Sequence, residues 1–343
     1  MQRELKATFG KQTDLFVDIL GQEETKKALK SALLMGRHVI IVGSPGIGKT
    51  TLAKNVAKVL PELSVNDCGY ACDPKNPVCP LCKAGKNKKS TKVSGAQRFV
   101  RVQGSPDLTA EDLLGDIDPI KALSFGPTSV EAFTPGKIFR ANQGVLFFDE
   151  VNRAPEKLQN ALLQVLEEGT ATIGPYTIDL PANFLCIATM NPEESAATEP
   201  LSDVFLDRFD LVFMTHPETL VREIEIVKSK GEKLDIEFPE HLLTFAISFV
   251  RSLRDSKHLD KFPSVRASLG LFERSQSNAY LSARKEVEVR DIADCMASVL
   301  AHRITLKPAV KYLQSPEQFV RAAYENFLRE HPPEDERSSG GEG

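Results

Sequence analysis

Residues 39–51 read Val39-Ile40-Ile41-Val42-Gly43-Ser44-Pro45-Gly46-Ile47-Gly48-Lys49-Thr50-Thr51. An apolar run leads into a glycine-rich turn. A segment then follows with Leu52, Val56, Val59 and Leu60 on one helical face. A phosphate-binding loop needs this order. The buried strand delivers the turn, and glycines at 43, 46 and 48 let successive backbone N–H groups point inward at a triphosphate. Lys49 reaches the β- and γ-phosphates, the Thr50 hydroxyl sits on magnesium, and the helix directs the positive end of its dipole at the anion. The whole run from Gly43 through Ser44, Pro45, Gly46, Ile47, Gly48, Lys49 and Thr50 to Thr51 is therefore the candidate nucleotide-binding segment.

Four more apolar runs read as parallel strands with Val39–Val42: 99–102, 145–148, 184–188 and 211–214. The stretches between them are long enough for right-handed crossover helices. One such helix follows Pro155, with Leu158, Leu162, Val165 and Leu166 on one face. Near-continuous apolar strands covered on both faces predict an open α/β sheet. The third run ends in Asp149-Glu150, which places two acids at the carboxyl edge of the sheet, where ligands bind in such folds. Asp149 suits magnesium, opposite Thr50, and Glu150 suits orienting or deprotonating the attacking water. The fourth run ends at Asn191-Pro192. The Asn191 amide could hold that water or touch the γ-phosphate; alternatively it caps the turn before proline.

Residues 171–180 suggest a β-hairpin turning near Gly174-Pro175, and 105–135 read as helix fragments and a loop. Beyond about residue 218 helical periodicity replaces the strand pattern, with helices expected around 242–253, 289–304 and 317–328. The expected organisation is an α/β domain over 1–217, a helical domain over 218–330, and a polar, disordered tail over 331–343.

The 343 residues are 41% hydrophobic and 26% charged, as in soluble globular proteins. No eighteen-residue apolar window offers a membrane span, and the first residues lack a secretory leader's apolar stretch, so a cytoplasmic location is expected. The net charge of −4 gives no global drive toward nucleic acid. Between Lys83 and Arg101, however, five lysines and two arginines occur without an acid. That run is either a solvated loop or a contact for an acidic or nucleic-acid partner.

Four of the six cysteines, Cys68, Cys72, Cys79 and Cys82, fall within a proposed loop over 64–97. The Cys79-Pro-Leu-Cys82 spacing lets both sulfurs face one ion, and four thiolates suit a structural zinc. An iron–sulfur cluster, two disulfides in an oxidising compartment, and plain thiols are the alternatives. Cys186 and Cys295 read as apolar fillers. The histidines form no metal-spaced pair.

The phosphate loop, Phe147-Phe148-Asp149-Glu150, Ala188-Thr189-Met190-Asn191-Pro192 and Leu206-Asp207-Arg208-Phe209-Asp210 occur in this order. The set resembles AAA+ ATPases, specifically the branch of MoxR-type ATPases and the motor subunit of magnesium chelatase, over about residues 15–310. The resemblance implies a five-stranded parallel P-loop sheet with flanking helices, followed by a smaller all-helical lid. It implies ATP and magnesium as ligands, with Ile19 and Leu20 of Asp18-Ile-Leu-Gly-Gln22 near adenine. It further implies Asn191 as sensor 1, Arg208 as an arginine finger reaching the neighbouring subunit's γ-phosphate, and Arg266 as sensor 2. A homo-oligomeric ring of six is implied, with a separate von Willebrand A-type partner, and work in protein remodelling or metal insertion. The four-cysteine loop departs from the usual family pattern. A DNA-dependent motor akin to minichromosome-maintenance helicases is the alternative. A nucleotide-gated scaffold with little turnover fits poorly with Glu150 and Arg208 both present.

Overall fold

The computed structural model describes residues 2–10, 14–85, 89–127, 129–173, 176–181, 183–191 and 201–333. The five apolar runs all form strands: β1 (His38–Val42), β2 (Phe99–Gln103), β3 (Val145–Asp149), β4 (Leu185–Met190) and β5 (Phe209–Phe213). They build one sheet in the order β5-β1-β4-β3-β2, with every pair parallel. The central strands carry unbroken apolar runs because helices cover both their faces; Val39, Ile40, Ile41, Val145, Leu146 and Phe147 are wholly buried. Helices α1 (Glu23–Leu34), α2 (Lys49–Lys58) and α3 (Glu156–Glu168) belong to this unit, and Pro155 caps α3 as its fixed φ favours.

Two hairpins interrupt the α/β pattern. Leu63–Asn66 pairs antiparallel with Ser90–Val93, so the cysteine loop hangs between two strands. Gly115–Ile117 pairs with Phe133–Pro135 around a helix over Pro119–Phe125. The expected helix fragments are present there (Ala110–Leu114 is the other), but three-residue strands are too short to show an alternation in sequence. The hairpin expected around 171–180 is formed by Thr170–Ile173 and Tyr176–Pro181; its turn residues, Gly174 and Pro175, lie outside the described residues.

Residues through Met214, apart from Ser44–Ile47, make one compact unit; Thr215 onward, with Ser44–Ile47, makes the second. The second unit packs α4 (Leu220–Lys230), α5 (Glu240–Arg254), α6 (Val265–Leu281), α7 (Val289–Leu300) and α8 (Pro316–Glu330) around Leu242, Phe249, Leu271, Ile292, Leu300 and Val320. Helix α6 was not legible in the sequence because its inward face includes Ser268, Ser275 and Gln276. His331 still stacks on Phe327, with ring centroids 4.7 Å apart. The tail residues 334–343 lie outside the described residues.

Candidate active site

The carboxyl edge of the sheet gathers the sequence-predicted residues. Val42 and Met190 end side by side in the parallel register, and the Gly43 N–H donates to the Met190 carbonyl at 3.2 Å. The loop then turns through two left-handed glycines, Gly46 (φ +83°) and Gly48 (φ +104°), a region other residues enter only with strain. Gly48 precedes the first turn of α2, so the backbone N–H groups of Lys49, Thr50 and Thr51 lie at the positive end of the helix. The Lys49 ammonium donates to the Gly43 carbonyl across the loop. A Cβ at Gly48 would stand 3.3 Å from Met214 Cε and 3.4 Å from Ile19 Cδ1, so the Asp18–Gln22 segment closes against the phosphate loop. Ile19 is buried there and Leu20 half-buried, while Asp18 pairs with Lys58 at 2.6 Å.

Asp149 and Glu150 follow the neighbouring strand end and are held by one hydroxyl. Thr189, wholly buried in β4, donates to Asp149 Oδ1 at 2.7 Å and accepts from the Glu150 N–H at 2.8 Å. Glu150 itself is left-handed (φ +55°), a conformation that neighbours must impose on a non-glycine residue. Gly104 supplies the room, since its N–H donates to the Asp149 carbonyl at 2.7 Å and a Cβ there would lie 2.0 Å from the Glu150 carbonyl oxygen. Arg101 donates to Asp149 Oδ2 at 2.6 Å; Gln103 and Arg153 hold Glu150 Oε2 at 3.1 and 3.0 Å. Sequence assigned no role at the acids to Thr189, Gly104, Arg101, Gln103 or Arg153: strand order brings the first four there, and Arg153 reaches Glu150 from one turn further along the chain.

Asn191 is buried directly beyond β4; Pro192 lies outside the described residues. Arg208 stands just before β5, one-third exposed, paired with Glu167 and Asp207 at 3.1 Å each. Arg266 lies exposed in the first turn of α6, in the second unit. The two arginines of the basic run differ: one is buried, the other half exposed. Arg98 is buried against the carbonyls of Gln143 and Pro61, and Arg101 is committed to Asp149.

Residues 79–211 match the family described as ATPase family associated with various cellular activities (AAA). Residues 15–73 match magnesium chelatase, subunit ChlI, and residues 262–322 match the AAA lid domain. A magnesium-chelatase subunit ChlI of Chlorella vulgaris is 31% identical over 322 residues, 85% of this chain and 89% of that relative. The chain belongs to the AAA+ ATPases of the magnesium chelatase/MoxR type. A magnesium-chelatase subunit ChlI homolog of Methanocaldococcus jannaschii is 26% identical, covering 92% of this chain and 90% of that protein. Chaperone MoxR1 of Mycobacterium tuberculosis is also 26% identical, covering 84% and 73%. As a member of that family the chain is an ATP-hydrolysing enzyme.

This AAA+ ATPase also carries its four cysteines together: the sulfurs of Cys68, Cys72, Cys79 and Cys82 all lie within 4.8 Å of one another. Cys79 caps a short helix over Pro80–Lys83, its thiol accepting from the Cys82 N–H at 3.4 Å, while the Cys79 N–H donates to Cys72 Sγ at 3.3 Å. Gly69 (φ +77°) and Ala71 (φ +44°) turn the other arm. The set can hold a metal ion. Hydrogen bonding from Cys72 pulls the Cys68 thiol below its usual range against the cost of burial.

The cysteine loop packs into the core of the nucleotide-binding unit. Cys72, Cys79, Cys82 and Tyr70 belong to the same core as Phe139, Phe148 and Leu158. Asn142 donates to the Tyr70 carbonyl at 3.0 Å, Gln143 to the Ala71 carbonyl at 2.9 Å, and the Tyr70 ring meets Phe139 edge-on at 5.5 Å. Cys186 and Cys295 are buried apart from the cluster, and burial pushes both thiols up.

Among the described residues no helix is long and apolar enough to cross a membrane.

Proposed function

We propose that this chain is the motor subunit of a homo-oligomeric ring, six-membered in the family's manner, that spends ATP on remodelling a protein partner or on inserting a metal ion. The observation that carries the reading is the Asp149–Thr189–Glu150 hydrogen-bond set at the strand edge beside the glycine loop. A nucleotide-gated scaffold has no need to hold a second carboxylate in a left-handed backbone. In this reading Lys49 and the α2 N–H groups bind the β- and γ-phosphates, and Ile19 and Leu20 line the adenine side. Thr50 and Asp149 would hold magnesium, which neutralises charge on the leaving phosphates. Glu150 orients the attacking water and takes its proton, and Asn191 positions that water against the γ-phosphate. Arg208, one-third exposed, acts on the neighbouring subunit's nucleotide, and Arg266 supplies a second cation from the lid.

The cysteine set fits zinc. Tetrahedral Zn–S bonds of about 2.3 Å put sulfurs about 3.8 Å apart, inside the 4.8 Å limit that the four sulfurs keep. A two- or four-iron cluster sets its outer ligands further apart than one ion does, so iron–sulfur is the weaker fit. Zinc would act as a staple within the nucleotide-binding core, in a cytoplasmic setting that keeps thiols reduced.

The relatives named as chelatase subunits and as a chaperone support a protein client, met together with a separate von Willebrand A-type protein. The helicase alternative is the weaker reading, because Arg98 is buried against backbone carbonyls and the exposed Arg101 is paired with Asp149. Sedimentation of Glu150→Gln with ATP tests the proposal. The variant should bind ATP without turnover and run as a ring; an ATP-saturated monomer would refute the assembly, and turnover strongly stimulated by DNA would favour the helicase.

A further inference from the structure

Glu223 of α4 is a fully buried carboxylate in the second unit, remote in sequence from every motif above. Arg254 grips it with two N–H groups at 2.7 Å each, Arg251 adds one at 3.1 Å, and the Ser268 hydroxyl donates at 2.6 Å. Burial works to push the carboxyl's pKa up, but the Arg254, Ser268 and Arg251 contacts outweigh it and keep the group below its usual range. Such a set is poor value as a source of stability alone, since well-packed apolar side chains of similar volume often do as well or better. What it supplies is orientation.

Each arginine uses its remaining donors on the backbone. Arg254 Nε donates to the Pro263 carbonyl at 2.8 Å, three residues before Arg266. Arg251 holds the carbonyls of Pro217 and Glu218 at 2.9 and 3.1 Å, near the start of this unit. Ser268 is buried two residues after the exposed Arg266, and positions i and i+2 of a helix look to opposite sides. Fixing Pro263 on one side of Arg266 and Ser268 on the other therefore fixes both the axial position and the roll of the first turn of α6.

We propose that Glu223 is a positioning residue for Arg266: through Arg254, Pro263 and Ser268 it sets the direction in which the Arg266 guanidinium leaves α6. The inference rests on the reading of Arg266 as the lid's cation at the γ-phosphate.

Arg254→Lys tests it mildly, keeping a charge for Glu223 while removing the bond to Pro263. Turnover should fall by about tenfold or more, as misplacing a group from a distance can do, measured at a temperature where melting shows the purified full chain to be folded. Arg266→Ala should show a comparable loss. In the Arg266→Ala background Arg254→Lys should add nothing, because the two act through one group. Ser268→Ala, which leaves the ion pairs intact, should give a smaller loss that also vanishes in that background; it decides the matter if Arg254→Lys does not fold. Full turnover in Arg254→Lys and Ser268→Ala beside an impaired Arg266→Ala overturns the inference alone, as do losses that multiply with that of Arg266→Ala. Full turnover in Arg266→Ala removes the reading beneath it, and the inference with it.

Discussion

Thr189→Val removes one hydroxyl and leaves the shape of β4 unchanged, so its effect isolates the two bonds that fix the acids. The bond to the charged Asp149 is worth about 1.5–3 kcal/mol and the one from the Glu150 N–H about 0.5–1.5 kcal/mol. Their loss should therefore cost about 2–4.5 kcal/mol of unfolding free energy in urea, with no cavity contribution. If about 2 kcal/mol of the same interaction orients Asp149 and Glu150 in the transition state, turnover falls about 30-fold. Thr189→Ser keeps the hydroxyl and should retain most of both. The assay is steady-state phosphate release at saturating ATP and magnesium, with urea unfolding of the same preparations. A valine variant within twofold of the parent in turnover and unchanged in urea would refute the claim that this hydroxyl holds the acid pair.

Gly104→Ala should be more severe for activity than for folding, because a Cβ 2.0 Å from the Glu150 carbonyl must displace that turn; ATP turnover beside a circular-dichroism melt checks it. Elemental analysis should find one zinc per chain. Stripping it with a chelator should lower the melting temperature of the nucleotide-binding unit as a whole, since three of the four cysteines lie in that unit's core. Acid should destabilise the same unit through His38, whose pKa is depressed to about 4 by burial and by Arg37. Its Nδ1 accepts from the Cys186 N–H, so the neutral ring is the native form. Between about pH 6.5 and 4 the unfolded chain binds the extra proton. Stability should fall on acidification across that window by up to about 3 kcal/mol, and His38→Asn, which keeps an acceptor, should flatten the slope in urea titrations at stepped pH.

The parts of the site that one strand or one turn carries were legible in the sequence. The glycine loop, the acids after Phe148 and the amide at 191 each announce themselves beside an apolar run, and all five runs became strands of one sheet. What sequence could not show depends on which strands become neighbours. Thr189 meets Asp149 because β4 lies beside β3, and Gly104 and Arg101 meet the acids because β2 lies on β3's other side. The strands around the cysteine loop were missed because Leu63–Asn66 and Ser90–Val93 hold few apolar residues. Helix α6 was missed because its buried serines and glutamine break the apolar stripe, and those same polar groups take part in the lid's interior network. The burial of Arg98 and the pairing of the exposed Arg101 with Asp149 give two members of the charge run partners that sequence alone does not reveal.

Hydrolysis completed by a neighbour's arginine is tested most directly by mixing two inactive variants. In the proposed reading Glu150→Gln lacks the water-orienting acid, and Arg208→Ala lacks the cation donated across the interface. Combined in one preparation they should recover measurable ATP turnover, because some interfaces pair an intact Glu150 with an intact Arg208. A mixture as inactive as its components, or an Arg208→Ala protein that turns over ATP at the parent rate as a monomer, would contradict the account.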